Sequence, residues 1–368
     1  MSSKNIISAI NMFCIPVVSY AAPCLEWTEE ELRNLDVTTR KKLNEKHMLH
    51  KNSCISRLYV SRKLGGRGLL NVQEQVHKII RNTKENIAQR TNNGSILSVI
   101  KLEKIHTAPT TEFLALHIEK PLHGQLLKNN DADKDSFNWL RHQNIRKDIE
   151  SYIFALQEQS IPTKYYLNKI EKRKIDPRCR VCNQAPETIH HLLNNCSTLA
   201  KKQYLTRHNE MGKHIYNAFC KKHNLPHNKT TNIPNIVENQ EYKLLWDFPI
   251  QTYKAVEHNR PDMIFINKMT KKATVIDFSN PFDSNIRQKY DEKVSKYLAL
   301  SAEIRNVWQL KSVKIQPIVI GSLGALTTRM KNDFKSMNSS FGLSINVSTL
   351  QKTVLEQSVK IVKSVINS

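Results

Sequence analysis

Apolar positions along this chain change their spacing more than once, and the changes mark out its parts. From Asn5 to about Lys46 they recur at helical intervals, beginning with Ile6, Ile7, Ile10, Phe13, Ile15, Val17 and Val18, which predicts two helices. Thr28 ahead of Glu29, Glu30 and Glu31 predicts the start of the second, because a threonine hydroxyl can satisfy an orphan N–H and acids favour a first turn. Lys4 before the apolar stretch and Tyr20-Ala21-Ala22 after it give a superficial likeness to a secretory leader. Ser8, Asn11 and Pro16 interrupt the stretch, so a buried helix is expected instead. Residues 86 to 135 hold Thr91-Asn92-Asn93-Gly94-Ser95 and Asn129-Asn130-Asp131-Ala132-Asp133 with weak periodicity between them, the pattern of a loosely packed connector. Helical spacing returns from Ser136 to Lys174, through Trp139, Leu140, Ile145, Ile149, Ile153 and Leu156.

An Asn-rich polar stretch runs from Asn224 to Asn239, and beyond it the pattern shortens. Met263-Ile264-Phe265-Ile266 and Ala273-Thr274-Val275-Ile276-Asp277-Phe278 predict two strands about the polar turn Asn267 to Lys272. Paired as a hairpin, they bring Asp262 and Asp277 to the same end. Ser284 to Leu310 predicts one long helix with Lys289, Lys293 and Lys296 on one face, followed by a buried strand from Val313 to Ile320 ending at Gly321. A helix near Leu326 and an amphipathic helix from about Leu350 to Ile366 complete the chain.

Charge adds a partner to this outline. Lys and Arg number 56 against 33 Asp and Glu, a formal net charge of +23 over 368 residues, which favours polyanions and the release of their counterions. Nucleic acid is therefore expected rather than a membrane, since the basic residues are spread along the chain and no apolar run reaches the roughly 18 to 20 residues a spanning helix needs. The stretch from Arg40 to Arg67 holds nine Lys and Arg and one acid, Glu45, a local balance of 9 − 1 = +8. Its Lys63-Leu64-Gly65-Gly66-Arg67-Gly68 loop could bring backbone N–H groups to phosphates, or be a flexible turn in a solvated basic face. Candidate nucleic-acid contacts are Arg57, Arg62, Lys63 and Arg67, then Lys172, Arg173, Lys174, Arg178 and Arg180, then Lys201, Lys202 and Arg207.

Seven cysteines are an odd number, which fits a reducing compartment better than a disulfide framework. Cys179, Cys182, His191 and Cys196 have zinc-ligand spacing: a two-residue gap lets one tight turn present two sulfurs, and a His and a Cys about one helical turn apart can close a tetrahedron. His190 competes with His191 as ligand. With all four positions filled by protein, the expected Zn²⁺ is structural. Asp262 and Asp277 outline a Mg²⁺ site, because a hard divalent ion takes carboxylate oxygens, waters and a substrate phosphate. A lysine from the next helix could then orient the attacking water.

The order of these motifs resembles a known family. Arg57-Leu58-Tyr59, Arg62 to Leu69, the cysteine cluster with Glu187-Thr188, Tyr204, Arg207-His208, Arg260-Pro261-Asp262, Asp277 and Lys293 to Tyr297 together are similar to the C-terminal half of non-LTR retrotransposon polyproteins of the branch that carries a restriction-like endonuclease. The resemblance runs from about residue 5 to 335 and implies an α+β chain: a helical N-terminal half, a small zinc knuckle and a C-terminal α/β PD-(D/E)XK-like nuclease core. The expected divisions are 1–85 (helical, like a reverse transcriptase thumb), 86–135 (connector), 136–222 (basic helices with the knuckle), 223–245 (linker), 246–337 (endonuclease) and 338–368 (C-terminal helix). The implied function is nicking of target DNA, to prime reverse transcription in the nucleus, by a Mg²⁺-dependent endonuclease that also binds the element RNA. Asp262 and Asp277 match the metal-binding acids, Glu257 resembles an accessory acid, and Ser279 stands where the strict pattern places Lys, which makes Lys293 and Lys296 the lysine candidates. No Tyr-x-Asp-Asp segment occurs, so the polymerase palm is missing, and the chain is expected to be a fragment of a longer polyprotein with a palm upstream, a truncated genomic copy or a reused remnant. The alternative is a non-catalytic, zinc-stabilised nucleic-acid-binding remnant.

Overall fold

A computed structural model describes residues 2–91, 94–95, 113–122, 125–226 and 233–367. Parts of the expected connector and of the Asn-rich linker lie outside the described residues. The architecture is mixed α+β, and the chain divides into two units, residues 1–125 with 144–160 and residues 126–143 with 161–368.

The first unit is helical. Helix α1 (Glu29–Glu45) starts with the anticipated cap: Thr28 Oγ1 accepts from the Glu31 N–H, and the Glu31 carboxylate accepts from the Thr28 N–H in return. It packs with α2 (Val72–Arg90) and the N-terminal helical segments around Ile7, Leu32, Leu43, Leu58, Leu69 and Val76. The N-terminal helix is amphipathic rather than buried: Ile7 and Ile15 face this core, while Phe13, Val17 and Tyr20 are exposed.

The basic Gly-rich loop does not cradle phosphate. Gly66 N–H donates to Ser61 O, Arg67 N–H to Arg57 O and Gly68 N–H to Val60 O, so these donors are spent within the chain. A Cβ at Gly66 would lie 2.0 Å from Val60 O, and Gly65 and Gly68 take the left-handed conformation. Arg57 and Arg67, expected to touch nucleic acid, are 4% and 2% exposed. Arg57 pairs with Glu158 at 3.4 Å, Arg67 with Glu150 at 3.5 Å, and both guanidinium groups lie over the Phe154 ring of α3 (Lys147–Gln157). Arg62 pairs with Glu150 at 3.0 Å, which leaves Lys63 the exposed cation of the four. The correction is physical: these acids sit far along the chain from the arginines they neutralise, so local charge counting sees only one side of the cluster.

In the second unit one sheet has the order β1-β2-β3-β4-β5. The strands are β1 (Ile236–Glu238), β2 (Tyr242–Trp246), β3 (Met263–Asn267), β4 (Lys272–Ser279) and β5 (Ser312–Val319). β3 and β4 form the anticipated hairpin with Met263 opposite Ile276 and Asn267 opposite Lys272, and β5 runs parallel to β4. One face, with Phe265, Ile276 and Phe278, packs against α4 (Leu205–Lys222), α7 (Thr328–Phe341) and α8 (Val347–Ile366). The other face, with Ile264, Val275 and Ala273, packs against Tyr297, Leu300 and Ile304. The single helix expected from Ser284 to Leu310 is instead two, α5 (Ile286–Lys296) and α6 (Leu298–Val307), broken at Tyr297, whose side chain is buried against the sheet. Residues 126–143 belong to this unit through α8 and its neighbours: Gln351 Nε2 donates to Ser136 O, Gln143 Nε2 to Ser348 Oγ, and Leu326 N–H to Ser136 Oγ.

Glu158→Ala is expected to destabilise the first unit by roughly 3–5 kcal/mol, since it leaves Arg57 buried without its partner. Lys63→Ala is expected to change stability by less than about 0.5 kcal/mol, and urea unfolding of both variants measures the difference. In the second unit Asp283 is 6% exposed and burial pushes its carboxyl up to about 7. Its contribution to stability is complete below the ordinary value of 3.8 and is lost as pH rises through about 7. Asp283→Asn is therefore expected to flatten the fall in melting temperature over that interval.

Candidate metal centre and carboxylate site

Cys179 and Cys182 sit on a tight turn. The Cys179 N–H donates to Ala185 O, the Asn183 N–H returns to Cys179 O, and Asn183 takes the left-handed conformation that closes the turn. His191 opens a π-helical turn, His191–Asn195, whose first N–H is capped by Thr188 Oγ1, and Cys196 follows at its end. The wider turn brings His191 and Cys196 back to the two thiols: one ligand atom from each of the four residues lies within 4.8 Å of the others. Burial first, then the neighbouring Cys182 and Cys196, push the Cys179 thiol up to about 11, and a cation would reverse this by favouring the thiolate. His191 Nε2 is 3.2 Å from Cys182 Sγ, whereas His190 stacks on Phe282 with ring centroids 4.4 Å apart. The choice between the two histidines falls on His191.

Fully buried Glu187 holds the turn in shape. Burial would raise its carboxyl, but Arg180 and the N–H groups of Arg180 and Lys164 outweigh that and hold it below the usual range. Arg180 also donates to Val365 O and Ile366 O at the end of α8, where a cation suits the helix dipole. Arg180 is thus part of the knuckle's framework, and Arg178 pairs with Asp176. Lys172, Arg173, Lys174, Lys201 and Lys202 are exposed. Arg207 is only 2% exposed: its guanidinium donates to Leu193 O, Asn280 O and Ser358 Oγ, so it corrects the expectation of a phosphate contact.

Asp277 lies on β4, and Asp262 lies one residue beyond the Met263–Ile276 pair, on the sheet face that also carries Ile264 and Val275. Asp262 Oδ2 accepts from the Phe278 N–H at 2.6 Å. Burial, then the charge of Asp277, pushes the Asp262 carboxyl up to about 7. Asp277 is 1% exposed, with the Lys293 ammonium 2.6 Å from Oδ2 and the Tyr297 hydroxyl donating to Oδ1 at 2.6 Å. Lys293 therefore reaches the acids. Lys296 lies over the Tyr297 ring, Lys289 pairs with Glu292, and Glu257 is exposed beside His258.

Two residues in this site escaped the sequence reading as site residues. His208 Nε2 is 3.1 Å from Asp262 Oδ2, and burial pushes His208 down to about 4. It gets there because Gly212, one turn later, lets α4 approach the sheet: a Cβ at that position would lie 2.6 Å from Trp246 and 2.7 Å from Phe278. Tyr297 is the other, and the helix break that turns it inward has no mark in the periodicity. The only signal for either was its place beside an arginine or lysine already singled out.

Residues 123–202 match the family described as zinc-binding in reverse transcriptase. No curated protein matches the chain. The chain thus carries a zinc-binding region of the reverse-transcriptase-associated type. That match and the Cys3His donor set both support zinc, and the match supports a retrotransposon-related protein.

His191→Ala is expected to abolish zinc retention and His190→Ala to preserve it, as read by metal analysis of the purified chain after dialysis. Equal zinc content in the two variants would contradict the ligand assignment.

Proposed function

We propose that this protein is the DNA-cutting and nucleic-acid-holding part of a retrotransposon reverse transcriptase polyprotein, with a PD-(D/E)XK-like endonuclease centred on Asp262, Asp277 and Lys293. The observation that carries the reading is an acid pair on one sheet face with a lysine ammonium 2.6 Å from Asp277. Asp262 and Asp277 would hold Mg²⁺, which supplies charge neutralisation at the scissile phosphate and acidifies a bound water. The donor set suits such an ion: two carboxylates, one of them held partly protonated near neutral pH by burial and by the other's charge, gain most from a nearby cation.

Tyr297 keeps Asp277 in place through a hydrogen bond to Oδ1, and His208 packs its Nε2 3.1 Å from Asp262 Oδ2. Lys293 stands ready to orient a water and to stabilise charge on the phosphate oxygens. It is preferred to Lys296, and Glu257 takes no part. Lys172, Arg173, Lys174, Lys201 and Lys202 provide the exposed cations for the backbone of target DNA or element RNA. The work of such a protein is in the nucleus, and the polymerase palm would come from elsewhere in the polyprotein. The non-catalytic alternative draws on Ser279, which stands where the strict motif has its lysine.

A plasmid-nicking assay with Mg²⁺ decides between them. Asp262→Ala and Asp277→Ala are expected to reduce nicking to background, Lys293→Ala to reduce it roughly hundredfold, and Glu257→Ala to leave it unchanged. Salt-sensitive DNA binding with no nicking by the parent chain would establish the alternative.

A further inference from the structure

Arg260 opens the Arg260-Pro261-Asp262 run, and the proposed chemistry makes no use of it. It sits next to the acid pair. Asp247 and Asp262 follow directly beyond the Trp246–Met263 pair of β2 and β3, and the Asp247 N–H donates to Asp262 O at 2.8 Å. The Arg260 guanidinium closes on Asp247 as a fork: Nε is 2.7 Å from Oδ1 and Nη2 is 2.8 Å from Oδ2. Nε also donates to Asp247 O at 3.2 Å, and Asn235 Nδ2 donates to the same oxygen at 3.4 Å. These bonds hold Asp247 at a φ of 45°, a left-handed conformation that persists in a residue other than glycine where its surroundings impose it. Asp247 is close enough to the site for its charge to act on His208.

Arg57, Arg67 and Arg207 are spent inside the protein, with 2% to 4% of their surface exposed. Arg260 differs: its side chain is 56% exposed and that of Asp247 is 54% exposed. An ion pair this open to water contributes little, so ending it costs little. The same fork fits two oxygens of a phosphate, in a charge-assisted contact that also releases counterions from DNA. A third carboxylate beside Asp262 and Asp277 would otherwise only repel the polyanion to be cut. We propose that Arg260 is a phosphate-binding residue of the nuclease site, which exchanges Asp247 for a backbone phosphate of the strand lying across Asp262 and Asp277. Asp247 is then a place-holder: it keeps the fork in one orientation in the free protein and competes with the phosphate for it. The inference rests on the nuclease reading for the placement of the strand. Because the contact is to backbone, it adds affinity and register and carries no base preference.

The test uses the full-length, zinc-loaded chain and a short fluorescein-labelled DNA duplex, with Mg²⁺ left out so that binding is read apart from cutting. Affinity is measured by anisotropy between about 50 and 200 mM salt. Arg260→Ala is expected to weaken binding roughly five- to tenfold and to lower the slope of log affinity against log salt by about one, the mark of a lost phosphate contact. Asp247→Asn is expected to tighten binding roughly threefold, and the double variant to bind like Arg260→Ala, because Asp247 acts only through the fork. Tightening that persists in the double variant would mean plain removal of a negative charge and would overturn the exchange. Unchanged affinity and slope in Arg260→Ala would overturn it too. If both single variants weaken binding and lower the melting temperature together, the pair is only a clasp between β2 and β3, and the proposal fails. Should Arg260→Ala not fold, Arg260→Gln replaces it in every comparison. If the expected pattern holds and the parent chain with Mg²⁺ then brings no nicking, the nuclease reading fails and the phosphate contact stands. Nicking by the parent, with binding unaltered in the Arg260 variant, would remove the contact and leave the nuclease.

Discussion

The guanidinium of Arg207 is the point at which the second unit is tied together. It is buried within α4 and donates at once to the knuckle at Leu193, to the loop after β4 at Asn280 and to α8 at Ser358. Burial pushes its ionisation down to about 10, still well above neutral, so it remains a charged donor inside the protein. Three carbonyl and hydroxyl oxygens from three different elements are held by one planar group, a task that suits the fork geometry of arginine and not the point charge of lysine. The zinc cluster, the strand that bears Asp277 and the last helix thereby share one fixed frame.

The carboxylate site follows from that frame and from close approach at Gly212. The hairpin register sets Asp262 beside Asp277, but their immediate surroundings come from elsewhere: His208 from the start of α4, Lys293 from α5, Tyr297 from the break before α6. Asp262 Oδ2, Asp277 Oδ1 and Asp277 Oδ2 each face a donor or cation from a different element. Small displacements of any one helix would therefore be felt at the acids.

Local chemistry was legible in the sequence, and depth was not. The cap at Thr28, the hairpin, the third strand from Val313 and the four zinc ligands all depend on neighbours within a few residues or on a repeating pattern, and such features can be read from sequence. The arginines of the first unit look like a phosphate-binding surface only because their partners, Glu150 and Glu158, enter on a distant helix. Arg207 was misjudged for the same reason. Tyr297 and His208 depend on which helix meets which edge of the sheet, and no spacing encodes that. The helical stretch between Ser284 and Leu310 is legible, though its two helices span only Ile286–Val307, and the break is not, because a tyrosine turned toward a carboxylate carries no helix-stopping signal.

The interleaving of the two units has a consequence for how this protein can be made. Residues 126–143 leave the ribosome before the segment that completes the first unit, yet their hydrogen-bond partners at Leu326, Ser348 and Gln351 are synthesised almost last. That stretch, with Trp139 and Leu140 destined for the interior, must wait in an unfinished state through most of translation. Long-range closure of this kind slows folding and leaves apolar surface open to self-association. Splitting the gene at any point between residues 143 and 326, for instance to express a nuclease fragment alone, would strand one partner of this pairing, so soluble truncations should keep residues 126–143 joined to the C-terminal helix.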